Sequence, residues 1–479
     1  MIDALSAARA AIRGCLSSLA EREMESRPMT LPNRLDRFPV AIRIAIVLIA
    51  ALLPAAASDE IPAPPQKHPI ALVGATIHPV DGPVIENGIL VFDRGVITAM
   101  GVDVAIPDGA ERIDVSGRHV YPALIAANTV LGLVEISAVR ATRDYDEAGD
   151  ISPEVRAEVA YNPDSELLPV TRASGVALAQ SVPGGGRVSG TSALMMLDGW
   201  TWEDATLKAP IGLHVRWPSM RIVERRGSSA AEQRQRRDEA IASIRTLFSD
   251  ARAWRAAVAA HENGRGPAPE TSTRFAAMAP VLAGEVPVFV HADDIRQIQA
   301  ALDWSAEEGL RMVLVGGYDA WRMADELKAR QIPVIYDNVH SEPRRRWEGY
   351  DAAFTAPAKL HAAGVAFCIG TSGSAFGAAH TRSLPHMAAT AAAYGLPPEE
   401  ALRAVTLYPA RILGVADRVG SLTVGKDATL IVTSGDPLEL TTGVERQFIQ
   451  GRPVDLRNRH TRLYEKYREK YRQMELLAE

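Results

Sequence analysis

The chain has 479 residues, more than one hydrophobic core usually sustains, so it either divides into domains or closes as a barrel. With 47% hydrophobic and 23% charged residues it is neither wholly disordered nor a multi-spanning membrane protein. A formal net charge of −6 leaves no electrostatic footprint for nucleic acid.

Residues 44–53 form an unbroken apolar run, preceded by Arg34, Arg37 and Arg43 and followed by Pro54-Ala55-Ala56-Ala57. A positive flank, a run too short to span a bilayer and a small-residue end are the layout of an export signal cleaved after Ala57. Residues 1–57 are therefore read as a leader starting at Met1 or Met29, and the mature chain as periplasmic or secreted. Cleavage removes Cys15 and leaves Cys368 alone, so no internal disulfide is expected. No cysteine follows the run to carry a lipid, so the mature chain is expected to be soluble, without a stable membrane anchor.

Residues 58–69 are proline-rich and polar, the composition of an extended linker. From 70 to 118, short strand-like runs at 70–73, 88–92, 96–100 and 110–115 are punctuated by Asp81-Gly82, Asn87-Gly88 and Asp93-Arg94-Gly95, an all-β texture. The same texture returns at 420–456. Neither patch can cover its own apolar face, so the two are expected to pair as one discontinuous β-sandwich.

Between them, over 119–415, strands alternate with helices, the pattern of a parallel barrel whose functional groups sit at the C-terminal ends of its strands. Strand candidates are the buried stretch 121–133 with its polar Asn128-Thr129, then 176–182, 193–197, 211–217, 286–291, 312–315, 333–336 and 365–369. Helical periodicity covers 295–308, 320–330 and 383–394, and an arginine-laden 230–261 reads as an exposed barrel helix. A basic helix over 457–479 carries Leu463, Tyr464, Tyr467 and Tyr471 near one face, which is expected to pack on its own domain, the alternative being a partner-binding face.

Three loops invite a ligand reading. Residues 143–150 begin like a calcium loop, but Ala148 and Val155 occupy positions that need oxygen donors, which leaves a solvated acidic loop. The glycine-rich 183–192 either cradles an anion on free backbone N–H groups or makes a tight barrel turn, and it lacks the lysine of a nucleotide-binding loop. Residues 372–377 form a similar glycine-serine loop, and no G-x-S-x-G nucleophile motif occurs anywhere.

The stretch 121–133, the run Val288-Phe289-Val290-His291-Ala292, the segment 404–410 and the sandwich segments 72–77 and 420–428 resemble the amidohydrolase superfamily, in its imidazolonepropionase-like branch. The resemblance implies an α/β fold: a TIM-type (β/α)8 barrel over 119–415 with a composite β-sandwich from 70–118 and 420–456. It implies hydrolysis of carbon–nitrogen bonds in cyclic amides or small peptides, with zinc or another divalent metal as cofactor and a homo- or hetero-oligomeric partner.

Laid onto this sequence, the family's metal-ligand positions fall on Asn128 and Val130 of the first strand, His291 of the fifth, Gly316 of the sixth and Ser372 of the eighth. No lysine stands in 211–217 to be carboxylated. Only His291 survives, and one imidazole does not hold a catalytic zinc, which takes about three protein ligands. No metal centre of the family's type is expected; the alternative is a site rebuilt from His291, His340 and Asp337, with Asn338, His380 and His386 near by. The pocket candidates are thus Asn128, His291, Asp337, His340 and Ser372. Two functions follow: a hydrolase with a depleted or rebuilt site, or a non-catalytic protein binding a small-molecule ligand or a homologous catalytic partner.

Overall fold

The computed structural model describes residues 60–223 and 227–476, so the leader, with its apolar run, Cys15 and the cleavage position at Ala57, lies outside the described residues. In chain order the strands are β1 (Ile70–Ile77), β2 (Ile85–Asp93), β3 (Val96–Gly101), β4 (Glu111–Asp114), β5 (His119–Pro122), β6 (Leu124–Thr129), β7 (Val176–Ser181) and β8 (Val188–Met196). They continue as β9 (Thr206–Arg216), β10 (Val288–Ala292), β11 (Met312–Gly316), β12 (Val334–Tyr336), β13 (Phe367–Ile369), β14 (Leu430–Thr433), β15 (Val444–Ile449) and β16 (Arg452–Pro453).

The first and last of these share one eight-stranded sheet, ordered β16-β15-β14-β5-β1-β2-β3 with β4 beside β1. The seam between the two ends of the chain is the antiparallel pair of β14 and β5, with Leu430 opposite Pro122 and Thr433 opposite His119. Its core explains why neither patch stands alone: Leu72, Ile77, Leu90 and Phe92 from the first bury against Leu422, Leu430, Val432 and Phe448 from the second. The sheet branches at β1, whose first half pairs with β4 and whose last two residues pair with β5. Gly74 sits at the branch with φ +84°, where a Cβ would lie 2.4 Å from Ser116 Oγ.

The remaining eight strands, β6 to β13, follow one another in space. A bridge between Ala127 and Gly370 brings the first back to the last, and Thr371 N–H donates to Ala127 O at 2.9 Å. The fold is the expected α/β barrel with a composite sheet domain, with one departure from all-parallel order. β8 runs antiparallel to both β7 and β9. The intervening segments 182–187 and 197–205 are the reason, because a parallel return needs a crossover of about a dozen residues or more and these allow only reversals. The connection from β7 to β8 therefore lies at the barrel's C-terminal mouth.

Two shells of apolar side chains hold the barrel. Ile125, Leu178, Leu194, Phe289, Val313, Val315, Ile335 and Cys368 form one cluster. The alternate residues Leu124, Ala179, Val288, Val290, Leu314 and Val334 belong to another, which includes the surrounding helices. The long helix Ala230–Glu262 starts at a Ser229/Glu232 capping box and buries Ile244, Leu247 and Phe248 in that outer shell, where Phe248 meets Trp304 edge-on at 5.2 Å. The C-terminal helix Arg459–Gln473 departs from expectation, since none of its residues is buried. Its tyrosine face does not pack on the body of the protein.

Candidate functional site at the barrel mouth

Strand periodicity decides which polar side chains enter the barrel. Residues of one parity turn inward, so His291 follows Phe289, Asp337 follows Ile335, and His214 and Arg216 follow Gly212. Gly212 lets the layer below close, because a Cβ there would lie 2.2 Å from the Phe289 ring.

His214 and His291 are hydrogen-bonded to each other, Nδ1 to Nε2, at 2.9 Å. Burial, and then the positive charge of Arg216, pushes His214 down to about 3 and His291 well below the usual imidazole range, so both rings are neutral at pH 7. A neutral pair needs one donor and one acceptor. His214 Nε2 is buried without a partner, so the proton on His214 Nδ1 leaves only a lone pair unmet. His291, partly exposed, then carries its proton on Nδ1.

Across the mouth Asp337 receives hydrogen bonds from two amides, Asn128 Nδ2 at 2.8 Å and Asn338 Nδ2 at 2.8 Å. Asn128 adopts φ +57°, a left-handed conformation that asparagine tolerates better than most residues. Its backbone N–H donates to Gln180 Oε1 at 3.1 Å, its Nδ2 also reaches Thr371 O at 3.1 Å, and Gln180 donates onward to Ser192 Oγ at 3.1 Å. Burial first, and the nearby charge of Asp293 second, pushes the Asp337 carboxyl up to about 7 against the opposing pull of Arg344. Arg344 pairs with Asp293 at 2.9 Å, donates to Asn338 Oδ1 at 2.8 Å and lies over the Tyr318 ring at 4.3 Å, which fixes the loop after β12 over this side of the mouth.

Of the sequence-derived candidates the structure brings together Asn128 and Asp337, and sets His291 in the same inward layer. His340 is exposed and bonded through Nε2 to Thr390 Oγ1 at 2.9 Å, on the helix Leu384–Ala393, so the rebuilt His291/His340/Asp337 group is not assembled. Ser372 is exposed, with Oγ donating to Ser374 Oγ at 3.0 Å. His380 bonds locally, its Nδ1–H donating to Phe376 O at 2.9 Å. Val130 is fully buried in the outer shell. Gly316 adopts φ +91°, and a Cβ there would fall 2.7 Å from Asp293 Oδ1, so a histidine would strain the backbone and displace that carboxylate.

Three N–H groups of the glycine-rich loop are already spent on the backbone of the acidic loop. Gly184 N–H donates to Tyr145 O, and Arg187 N–H and Val188 N–H both donate to Asp150 O, at 2.5, 2.6 and 3.0 Å. The acidic loop 143–150, with its carboxylates exposed, is thus the strap that occupies the glycine loop. His214, Arg216, Gln180, Asp293 and Arg344 are site residues that the sequence reading missed. The alternation of Gly212, His214 and Arg216 with Leu213 and Val215 was the available signal for the first two.

The residues present do not fit the metal centre that the family resemblance implies. The two imidazoles spend a donor and a lone pair on each other, Asp337 is engaged by two amides, and Asn128 spends its Nδ2 on Asp337 and Thr371, which leaves its buried Oδ1, one neutral oxygen, as the atom without a partner. Among the described residues no three His, Cys, Asp or Glu side chains converge as a ligand set.

Comparison with known proteins bears on the fold more than on this mouth. The amidohydrolase family model matches residues 350–454, which lie C-terminal to His214, His291 and Asp337. The crystal structure of an amidohydrolase from Thermotoga maritima MSB8 superposes with a TM-score of 0.72 and 26% identity, covering 81% of this chain and all of that one. Together these matches support the amidohydrolase superfamily for this chain. An amidohydrolase, tasK, of Hapsidospora irregularis is 23% identical over 412 residues, 78% of this chain but 41% of that protein. The chain thus spans about two-fifths of the length of this amidohydrolase relative. The mouth of this chain is marked by the imidazole pair and the amide-bound Asp337.

Proposed function

We propose that this amidohydrolase-superfamily protein binds a small amide-bearing molecule at the barrel mouth and does not activate water through the metal centre its fold relatives suggest. The observation that carries the reading is the mutual hydrogen bond of His214 and His291 at 2.9 Å, which commits to each other the two imidazoles that could have been ligands. What the mouth offers instead is the His291 Nδ1–H, the Arg216 guanidinium and the Asp337 carboxyl, a set of donors and one acid that complements a carbonyl with a neighbouring N–H. Cyclic amides and dipeptides are the chemical class to try. A thermal-shift panel of such compounds is expected to find one that stabilises the protein equally with and without chelator, with the shift lost in His291→Ala. Hydrolysis that chelator abolishes and zinc restores would overturn the reading.

A second reading, retained catalysis on a carbon–nitrogen bond, is favoured by one feature. A carboxyl raised to about 7 in a partly open mouth is poised to give or take a proton near neutral pH. It predicts turnover that Asp337→Asn removes and chelator does not.

We also propose that the chain is exported and cleaved near Ala57, on the strength of the arginine-flanked apolar run at 44–53.

A further inference from the structure

The helix Arg459–Gln473 begins securely. Asn458, buried in the body, accepts from His460 N–H at 2.8 Å and Thr461 N–H at 3.3 Å, and Arg462 Nη2 reaches both carboxylate oxygens of Glu166 at 3.0 Å. Beyond that first turn every residue of the helix is exposed among the described residues. An isolated helix of this length is marginal in water, so a covering surface is what would hold it.

Its pattern says what that surface is. Tyr464, Tyr467, Tyr471 and Met474 recur at spacings of three, four and three residues, and Leu463 adjoins them, so they form one narrow apolar stripe. Arg468, four residues after Tyr464 and three before Tyr471, lines one flank and lies over the Tyr464 ring, while Arg472 one turn on is paired with Glu469 at 2.8 Å. Lys470, three residues after Tyr467 and four before Met474, lines the other. The two acids of the helix, Glu465 and Glu469, lie four residues apart on the opposite side. Cations border the stripe on both sides and acids are turned away from it. A second copy of the helix would place like charges against like along both borders.

We propose that this helix is a reversible docking surface for an anionic lipid bilayer. Tyrosine rings suit the head-group level, where their apolar bodies and polar tips are both satisfied, and the bordering Lys and Arg reach lipid phosphates while their stems lie along the stripe. Among the described residues no helix is long and apolar enough to cross a membrane, so the contact is superficial and differs from an anchor. The docking holds the barrel at a membrane surface independently of what its mouth binds.

The test is co-sedimentation of the whole protein with vesicles of phosphatidylglycerol and phosphatidylcholine against vesicles of phosphatidylcholine alone. Partition to the anionic vesicles is expected to be stronger by about tenfold or more and to fall as salt is raised. Both the triple variant Tyr464→Ser, Tyr467→Ser, Tyr471→Ser and the variant Arg468→Glu, Lys470→Glu, Arg472→Glu are expected to lose that preference while unfolding thermally as the parent does. Equal partition to both vesicle types, or unchanged binding by either variant, would overturn the proposal. So would a tyrosine-dependent dimer in sedimentation velocity without vesicle binding, which would assign the stripe to a second copy of the chain.

Discussion

Replacing Asp337 by asparagine isolates the least ordinary group at the mouth. A rise of the carboxyl from 3.8 to about 7 corresponds to about 4 kcal/mol of preference for the protonated form in the folded protein. The folded state then binds more protons than the unfolded state between those two values. Stability contributed by this group is therefore greatest below pH 4 and falls as pH rises towards 7, where the buried carboxylate must be tolerated in charged form. Asp337→Asn removes the titration. It keeps an acceptor for Asn128 but sets an NH2 against the Asn338 amide, a loss of about 1 kcal/mol that does not vary with pH. Urea unfolding of both proteins from pH 4.5 to 8 is expected to show the variant gaining on the parent as pH rises, by about 2–4 kcal/mol in all, with 4 as the ceiling because the side chain is not wholly sealed from water. Parallel stability curves for the two proteins would show that Asp337 is an ordinary ionised carboxylate and would remove the acid–base reading of the mouth with it.

Further outcomes follow from the same geometry. Gly212→Ala drives a Cβ to within 2.2 Å of the Phe289 ring and 3.0 Å of Pro287 O, and is expected to destabilise by about 1–3 kcal/mol in urea unfolding. Cys368 is fully buried and burial pushes its thiol up, so a maleimide is expected to label it only at the rate of global unfolding; rapid labelling at Cys368 itself, mapped by peptide mass, would contradict its place in the barrel interior. N-terminal sequencing of protein recovered from the cell exterior or periplasm is expected to begin near Ser58, and an intact leader on cytoplasmic protein would exclude export.

Much of the architecture was legible because it is written in local chemistry. Val288-Phe289-Val290-His291-Ala292 is the very extent of β10, and the alternation within it sets His291 inward beside Phe289. The pairing of the chain's two ends was legible from apolar faces that neither patch could cover. The direction of β8 was not, because a strand's pattern is the same read either way and only the shortness of its connections reveals the reversal. His340 was misplaced for a related reason: a loop residue four positions past a strand can turn to the mouth or to the next helix, and Thr390 decides it. The alternation of its strand turns His214 inward, but its role as a site residue is not legible there, because that role comes from His291, 77 residues away in the chain. The exposed C-terminal helix could not be foreseen from a periodicity that looks the same whether the stripe is covered or bare.

The most direct test of the account is the metal content of the whole protein, purified without added ions and then equilibrated with zinc and desalted, alongside His291→Ala. The imidazole pair and the amide-bound Asp337 predict well under one equivalent retained and no difference between the two proteins. One equivalent held by the parent and lost by His291→Ala would show that the imidazoles part to take a metal, and the account of the mouth would be wrong.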